Sequence, residues 1–188
     1  MRLLISIPLL VLATIPVSAL AQSGGTATDT SVKQFAVIGN VPIMCTGGTL
    51  AGDGTFDLGV LTDTTTGLLR TDLSAPDQVI TGSFCSTRST INVAATPMTA
   101  QNYTATPPSG FSRMVNYVAT ASGWTTTPAS FDTAATSNPA DTQTRNTAFT
   151  GDITVALSGF ATGGGNALRL VADTNYQGAV TVTLTAVN

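Results

Sequence analysis

The sequence predicts an all-β domain from three observations. Several segments alternate apolar and polar residues with a period of two, which is the pattern of a strand with one buried face. Turn-forming residues separate these segments at short intervals, and threonine, alanine and glycine dominate the composition. Charged residues make up only 9% of the chain, and no segment has a helical period of useful length. This composition is typical of a threonine-rich β domain that functions outside the cytosol.

The N-terminus has the composition of a secretory signal peptide over residues 1–21. A positive side chain precedes the apolar run of residues 3–12, and Ala19 and Ala21 occupy the small-residue positions of a cleavage site. An uncleaved membrane anchor is the alternative, but two prolines interrupt the apolar stretch. We therefore expect cleavage after Ala21, which leaves a single domain over residues 22–188.

The longest alternating segment lies close to this cleavage site. Residues 22–31 form a small, polar stretch that is expected to be a mobile leader, and residues 32–45 then predict a long strand with one buried face. The residues on that face are Phe35, Val37, Gly39, Val41, Ile43 and Cys45. The second face is mixed, and Pro42 has no N–H group to donate, so the strand is expected near a sheet edge. Its partners belong either to this chain or to a neighbouring subunit.

The chain has two cysteines, Cys45 and Cys85, and an exported protein meets an oxidising compartment. We expect them to form one intramolecular disulfide. A pair of metal ligands is the alternative, but the chain contains no histidine and no third cysteine to complete a coordination set. Neither a metal nor a cofactor is expected.

Further strands are predicted downstream, separated by turn and loop segments. They cover residues 55–61, 78–85, 90–98, 114–124, 152–160, 166–172 and 178–187, with a short strand around Phe131. In residues 55–61 the side chains of Phe56, Leu58 and Val60 are expected to point inward, and Gly59 marks a bulge. Turns rich in glycine or asparagine join the last three segments, which predicts consecutive hairpins.

The residues available for chemistry argue against an enzyme and against nucleic-acid binding. The chain from residue 22 onward has no histidine, no glutamate and no thiol outside the expected disulfide, and its aspartates lie in turns where they cap the backbone. A weak calcium site is the alternative role for these aspartates. The net charge is −3 and the few arginines are scattered, so the basic patch of a nucleic-acid binder is missing.

A surface binding module is the other function class that the sequence allows. Trp124 follows a glycine, and Tyr103 and Phe111 are nearby in sequence, so the three could form an aromatic platform for a glycan. The alternative, which we favour, is that the only tryptophan packs in the core of a β-sandwich.

Three features occur together in a characteristic order. An alternating segment, FAVIGNVPIMC at residues 35–45, runs into the first cysteine shortly after the signal peptide. FDLGV at residues 56–60 follows, and VITGSFC at residues 79–85 ends in the second cysteine. Near the C-terminus, YQGAVTVTL at residues 176–184 alternates valine and threonine. In this order and spacing they resemble the bacterial chaperone–usher pilus subunits, most closely the archaic type with a spore coat protein U-like domain. Residues 100–150 contain no motif of this family.

The resemblance implies an incomplete immunoglobulin-like β-sandwich that lacks its final strand. Its groove would be filled first by a periplasmic chaperone and then by the N-terminal strand of the next subunit, delivered through an outer-membrane usher. Transferred to this sequence, the donor strand would carry Val32, Phe35 and Val37. The acceptor groove, or chaperone-binding edge, would include Val180, Val182 and Leu184. The product would be a fimbrium at the cell surface.

Two features of the sequence depart from the family pattern. The leader at residues 22–31 lacks the apolar alternation of a long donor segment, and the chain ends in Ala186, Val187 and Asn188 rather than in an aromatic-rich terminus. The alternative is therefore a self-complete secreted or surface β-sandwich that acts as a glycan or protein adhesion module.

Overall fold

The computed structural model describes residues 31–187. This part of the chain contains eleven strands and no helix. The strands are β1 (Cys45–Thr46), β2 (Thr49–Ala51), β3 (Gln78–Cys85), β4 (Ser89–Ala100), β5 (Phe111–Ser112), β6 (Met114–Ser122), β7 (Ala129–Asp132), β8 (Thr142–Arg145), β9 (Phe149–Thr162), β10 (Arg169–Leu170) and β11 (Tyr176–Ala186). The predicted signal peptide at residues 1–21 and the leader up to residue 30 lie outside the described residues. The chain divides after Gly39, and all the strands belong to the second unit.

The strands form a β-sandwich from one sheet that folds over on itself. The order along the sheet is β1-β3-β9-β6-β4-β11, with β2 also paired to β3, β7 to β6 and β8 to β4. The two halves join where Met98 and Thr99 of β4 pair with Val115 and Met114 of β6. Beyond this short junction β4 and β6 separate, because β6 continues along β7 and β4 continues along β8. The predicted all-β sandwich is therefore confirmed.

The core lies between these two halves of the sheet. Ile91 and Val93 of β4 pack in one buried cluster with residues of β6 and with Ile153 and Val155 of β9. The inward side of β6 follows the period of two that the sequence predicts, since Val115, Tyr117, Ala119 and Ala121 are all buried.

Trp124 belongs to this core and is fully buried. Its indole N–H donates to the Ser89 hydroxyl over 3.2 Å, and its ring meets the Phe149 ring edge-on at a centroid distance of 5.2 Å. A buried indole with a hydrogen-bond acceptor is a stable core arrangement. Trp124 therefore does not form the aromatic platform that a glycan-binding surface would need.

The Cys45–Cys85 disulfide is present, as predicted. The two cysteines are direct partners in the β1–β3 ladder, with Cα atoms 4.1 Å apart, and they close a sequence separation of 40 residues. On the chain-entropy model a loop of this length stabilises the fold by about 4 kcal/mol. The bond fixes the point at which the N-terminal segment joins the sheet.

Most of the predicted strands are confirmed, but two N-terminal ones are not formed. Residues 31–44 contain no strand, so of the predicted strand at residues 32–45 only Cys45 is in a ladder, and its predicted buried face is exposed. The physical reason is a missing partner: Met44 still accepts a hydrogen bond from the Ser86 N–H, but β3 has ended at Cys85. Residues 55–61 also contain no strand.

The predicted consecutive hairpins at the C-terminus are wrong. Of residues 166–172 only Arg169–Leu170 form a strand, β10, and it pairs in parallel with β5. The last strand, β11, pairs instead with β4 along almost its full length. The turn between β10 and β11 is held across the molecule by Asp173, which accepts hydrogen bonds from Asn102 and Tyr103, and this contact directs the chain towards β4.

Candidate functional site

The sheet ends in two unpaired edges that lie next to each other. Among the strands of residues 31–187, the edge strand β11 pairs only with β4, and β1 pairs only with β3. β1 lies against β11, but the two strands are not hydrogen-bonded neighbours. Edge strands present a row of free N–H and C=O groups that can pair with another chain. The sandwich is therefore open along the line between its first and last strands.

The hydrogen bonds of neighbouring residues show which groups of β11 face this opening. The N–H of Val187 donates to Arg88 over 2.8 Å, and the N–H of Val93 points away from β11 to Asp141. Because backbone groups alternate in direction along an antiparallel strand, the N–H and C=O groups of Val180, Val182 and Leu184 point to the free edge. The predicted acceptor residues are thus the ones with unpaired backbone groups.

A groove with both apolar and polar lining lies beside the first half of β11. A cavity of about 460 Å³ is bounded by Phe56 and Leu58 on one side and by Val180 on the other, and Tyr117 and Leu157 also line it. A second cavity of about 910 Å³ continues beyond the start of β11. The two cavities share lining residues, among them Phe56, Leu58, Met98 and Tyr176, so they adjoin each other and are treated together as the groove.

Tyr117 fixes the wall of the groove at the β-bulge of β11. Its hydroxyl lies 2.8 Å from the Thr96 carbonyl oxygen and 3.0 Å from that of Ala179, and burial raises the pKa of this phenol. Between Gln177 and Ala179 the register of β11 shifts, and a Cβ on Gly178 would lie 2.7 Å from the Thr96 carbonyl oxygen. Only glycine allows β11 to approach β4 this closely here.

Asp173 fixes the loop from which β11 begins. Its carboxylate accepts hydrogen bonds from the backbone N–H groups of Asn102, Tyr103 and Asn175 and from the Asn102 side-chain amide, each at 2.8–2.9 Å. Desolvation acts to raise the pKa of Asp173, but these hydrogen bonds outweigh it and hold the pKa at about 2.

Tyr176, the first residue of β11, is fixed in the same loop. Its hydroxyl donates to the Val171 carbonyl over 2.8 Å. Desolvation, followed by the negative charge of Asp173, raises the pKa of Tyr176 to about 12. The phenol therefore stays protonated and keeps its hydrogen bond at neutral pH.

The predicted acceptor and donor residues occupy different surroundings. Val180, Val182 and Leu184 share one face of β11, are half-buried and pack against the core, and Val180 also lines the groove. Val32, Phe35 and Val37 precede β1, lie outside any strand, and are 80%, 84% and 96% exposed.

Sequence reasoning missed four of the groove residues: Met98, Tyr117, Leu157 and Tyr176. The first three occupy inward positions of ordinary strands, and their sequence pattern is that of fully covered core residues. Only the missing neighbour of β11 makes them line a groove, and a single sequence contains no signal for that absence.

Among residues 31–187 no group of three or more metal-ligating side chains is placed to hold an ion. No helix in the same range is long and apolar enough to cross a membrane. In this part of the chain the only ion pair joins Arg70 and Asp72 at 2.8 Å, on the surface. Comparisons of the chain with protein-family models, with curated proteins and with solved structures found no match.

Proposed function

We propose that this protein is a structural subunit of a surface fibre that is assembled by donor-strand exchange. The observation that carries the proposal is the presence, in one chain, of an exposed alternating apolar segment and of a groove beside an edge strand that has apolar side chains in its wall. The segment at residues 32–45 of one subunit would lie in the groove of the next, with Phe35 and Val37 on the face towards the groove and Val32 on the opposite face.

The energetics of burial support such a contact. Apolar side chains that are 80–96% exposed gain up to about 1.5–3 kcal/mol each when they are fully buried. A docked strand would also pair with the free N–H and C=O groups of Val180, Val182 and Leu184. Donor and acceptor are different surfaces of the same chain, so the contact is head-to-tail and repeats into a filament when it does not close.

The partners and location follow from the same proposal. Neighbouring copies or related subunits would supply the donor strand, and a periplasmic chaperone and an outer-membrane usher would deliver each subunit. Residues 1–21 would direct export, with the periplasm as the transit compartment and the cell surface as the destination. No nucleic acid, small-molecule cofactor or catalytic residue is part of this proposal.

A paired substitution in the donor segment tests the proposal. We expect the double variant F35D/V37D to abolish assembly, because a docked donor would carry two carboxylates against the apolar side chains of the groove. The double variant Q34D/A36D is the matched control, since it adds the same charge at exposed positions on the other side of the segment. Assembly is measured as a ladder of subunits on a denaturing gel run without boiling.

We expect Q34D/A36D to retain the ladder. A normal ladder from F35D/V37D would show that this segment is not the donor. Because all four positions are exposed in the free subunit, neither variant is expected to affect folding.

A further inference from the structure

The segment at residues 55–61 faces β11 across the groove, and its sequence and structure differ in a specific way. It alternates apolar and polar residues as a strand does, yet it contains no strand. Phe56 already packs against the core and Leu58 is half-buried, whereas Val60 is 62% exposed. The side chains therefore follow the strand pattern at its inner end, while the backbone has no ladder partner.

The backbone of this segment is held at its ends and at Gly59, whose N–H donates to the Asp57 carboxylate over 2.8 Å and must release it for a strand to form. The Thr55 carbonyl accepts from the Gln78 side chain over 3.0 Å, and the Leu61 carbonyl accepts from the Arg70 N–H over 2.9 Å. The N–H groups of Phe56, Leu58 and Val60 have no acceptor within residues 31–187. Both walls of the groove thus present unpaired backbone groups, and the space between them holds no strand.

We propose that residues 55–61 become a β-strand when the donor segment of a second copy docks, so that the donor is hydrogen-bonded to this segment on one side and to β11 on the other. This inference rests on the proposed function and adds a second partner strand to it. A segment with an alternating sequence, fixed ends and unpaired N–H groups forms a ladder when it gains a neighbour at strand distance and its backbone straightens at Gly59.

Two glycines allow the backbone change that this requires. Gly54 and Gly59 have positive φ angles of 72° and 63° in the free subunit, and a Cβ on Gly59 would meet no atom within 4 Å. Space therefore does not require glycine at position 59, but the positive φ does. Glycine passes between positive and negative φ at little cost, so the segment can straighten at this position.

Amide hydrogen exchange of the full-length F35D/V37D variant tests the inference, because this variant keeps its groove but cannot donate. The probe is a synthetic peptide of residues 31–44, and the control is the same peptide with both aspartate substitutions. At a peptide concentration of about ten times the Kd of the peptide, about one protein molecule in eleven has no peptide bound. Amides that gain a hydrogen bond on binding are therefore expected to exchange about tenfold more slowly than without peptide.

We expect the unsubstituted peptide to slow amide exchange at two places. One is β11, at the outward N–H groups of residues 180, 182 and 184, and the other is alternate residues within 55–61. Slowing on β11 alone would overturn the inference and leave the proposed function standing. Absence of slowing at both places, with no difference between the two peptides, would contradict the proposed function and the inference together.

Discussion

At the scale of single residues, Asp173 determines where the last strand begins. Three of its four hydrogen bonds join the loop before β11 to Asn102 and Tyr103, which lie shortly after β4, and the fourth comes from Asn175 within the loop. The start of β11 is therefore tied to the end of its partner strand, and the groove lies against this junction. A second residue, Arg145, is fixed by contacts at the far end of β4. Its guanidinium carbon lies 3.4 Å from the Phe149 ring centroid, and its guanidinium group donates a hydrogen bond to the Trp124 carbonyl over 2.7 Å.

The first prediction concerns acid stability. The pKa of Asp173 is about 2 in the folded protein and 3.8 ordinarily, so its contribution to stability is fully present above about pH 4 and decreases as the pH falls towards 2. We expect D173N to be less stable than the wild type at neutral pH, because an amide cannot accept all four hydrogen bonds. The difference between the two proteins should shrink between pH 4 and pH 2 in urea unfolding curves.

The exposed Asp77 supplies the control, because no hydrogen bond reaches its carboxylate within the described residues. D77N is expected to have nearly the same stability as the wild type over the same pH range. A stability difference for D173N that stays constant from pH 5 to pH 2 would refute the role assigned to this carboxylate.

Single residues also show which features the sequence could and could not predict. The burial of Trp124 and the pairing of Cys45 with Cys85 follow from general preferences that act whatever the topology. The partners of Asp173 are about 70 residues away in sequence, and a turn aspartate of this kind has no distinctive local pattern. The position of Asp173 in the fold could therefore not be derived from the sequence.

At the scale of elements, β11 is half-covered. Its inward residues alternate with exposed threonines, as the sequence predicts, yet the inward residues stay only half-buried because no strand follows on the free edge. The strand pattern of the long inner strands also matches the structure. The strands β3, β4, β6 and β9 each have partners within the chain, so their alternating sequences do form ladders. Residues 32–45 and 55–61 have the same period but no such partner. Periodicity indicates a preference for strand structure, and a ladder forms only where a neighbour supplies hydrogen bonds.

The second prediction separates the two ends of the contact. We expect V180D to lose assembly because it places a carboxylate in the groove while the donor segment is intact. Mixed with F35D/V37D, which keeps the groove, it should give a band of two subunits and no longer ladder. The control is T181D, whose side chain lies on the exposed face of the same strand and whose ladder should be normal.

Folding of V180D is checked by a cooperative thermal transition and an intact disulfide, since Val180 is half-buried. Two results would contradict the assignment of the groove: a full ladder from folded V180D alone, or the absence of a two-subunit band from the mixture.

At the scale of the whole molecule, the sequence predicted the class of fold but not its topology. The strand pattern indicated a sandwich, but the order of the sheet depends on long-range pairs such as β4 with β11 and β3 with β9. Such pairs are chosen by the packing of the entire core, and short turns between successive segments do not determine them. The groove is a property of this scale as well, because β11 and the segment around Phe56 and Leu58, which are far apart in sequence, line it together.

The most direct test of the central claim is the migration of the exported wild-type protein on a denaturing gel, before and after boiling. A donor strand held by backbone hydrogen bonds and apolar contacts is non-covalent, so we predict a ladder of subunits that collapses to one band on boiling. A single monomer band before boiling, from a protein that unfolds cooperatively as a monomer, would contradict the account. It would show that the sandwich is complete within one chain and would favour a surface binding module.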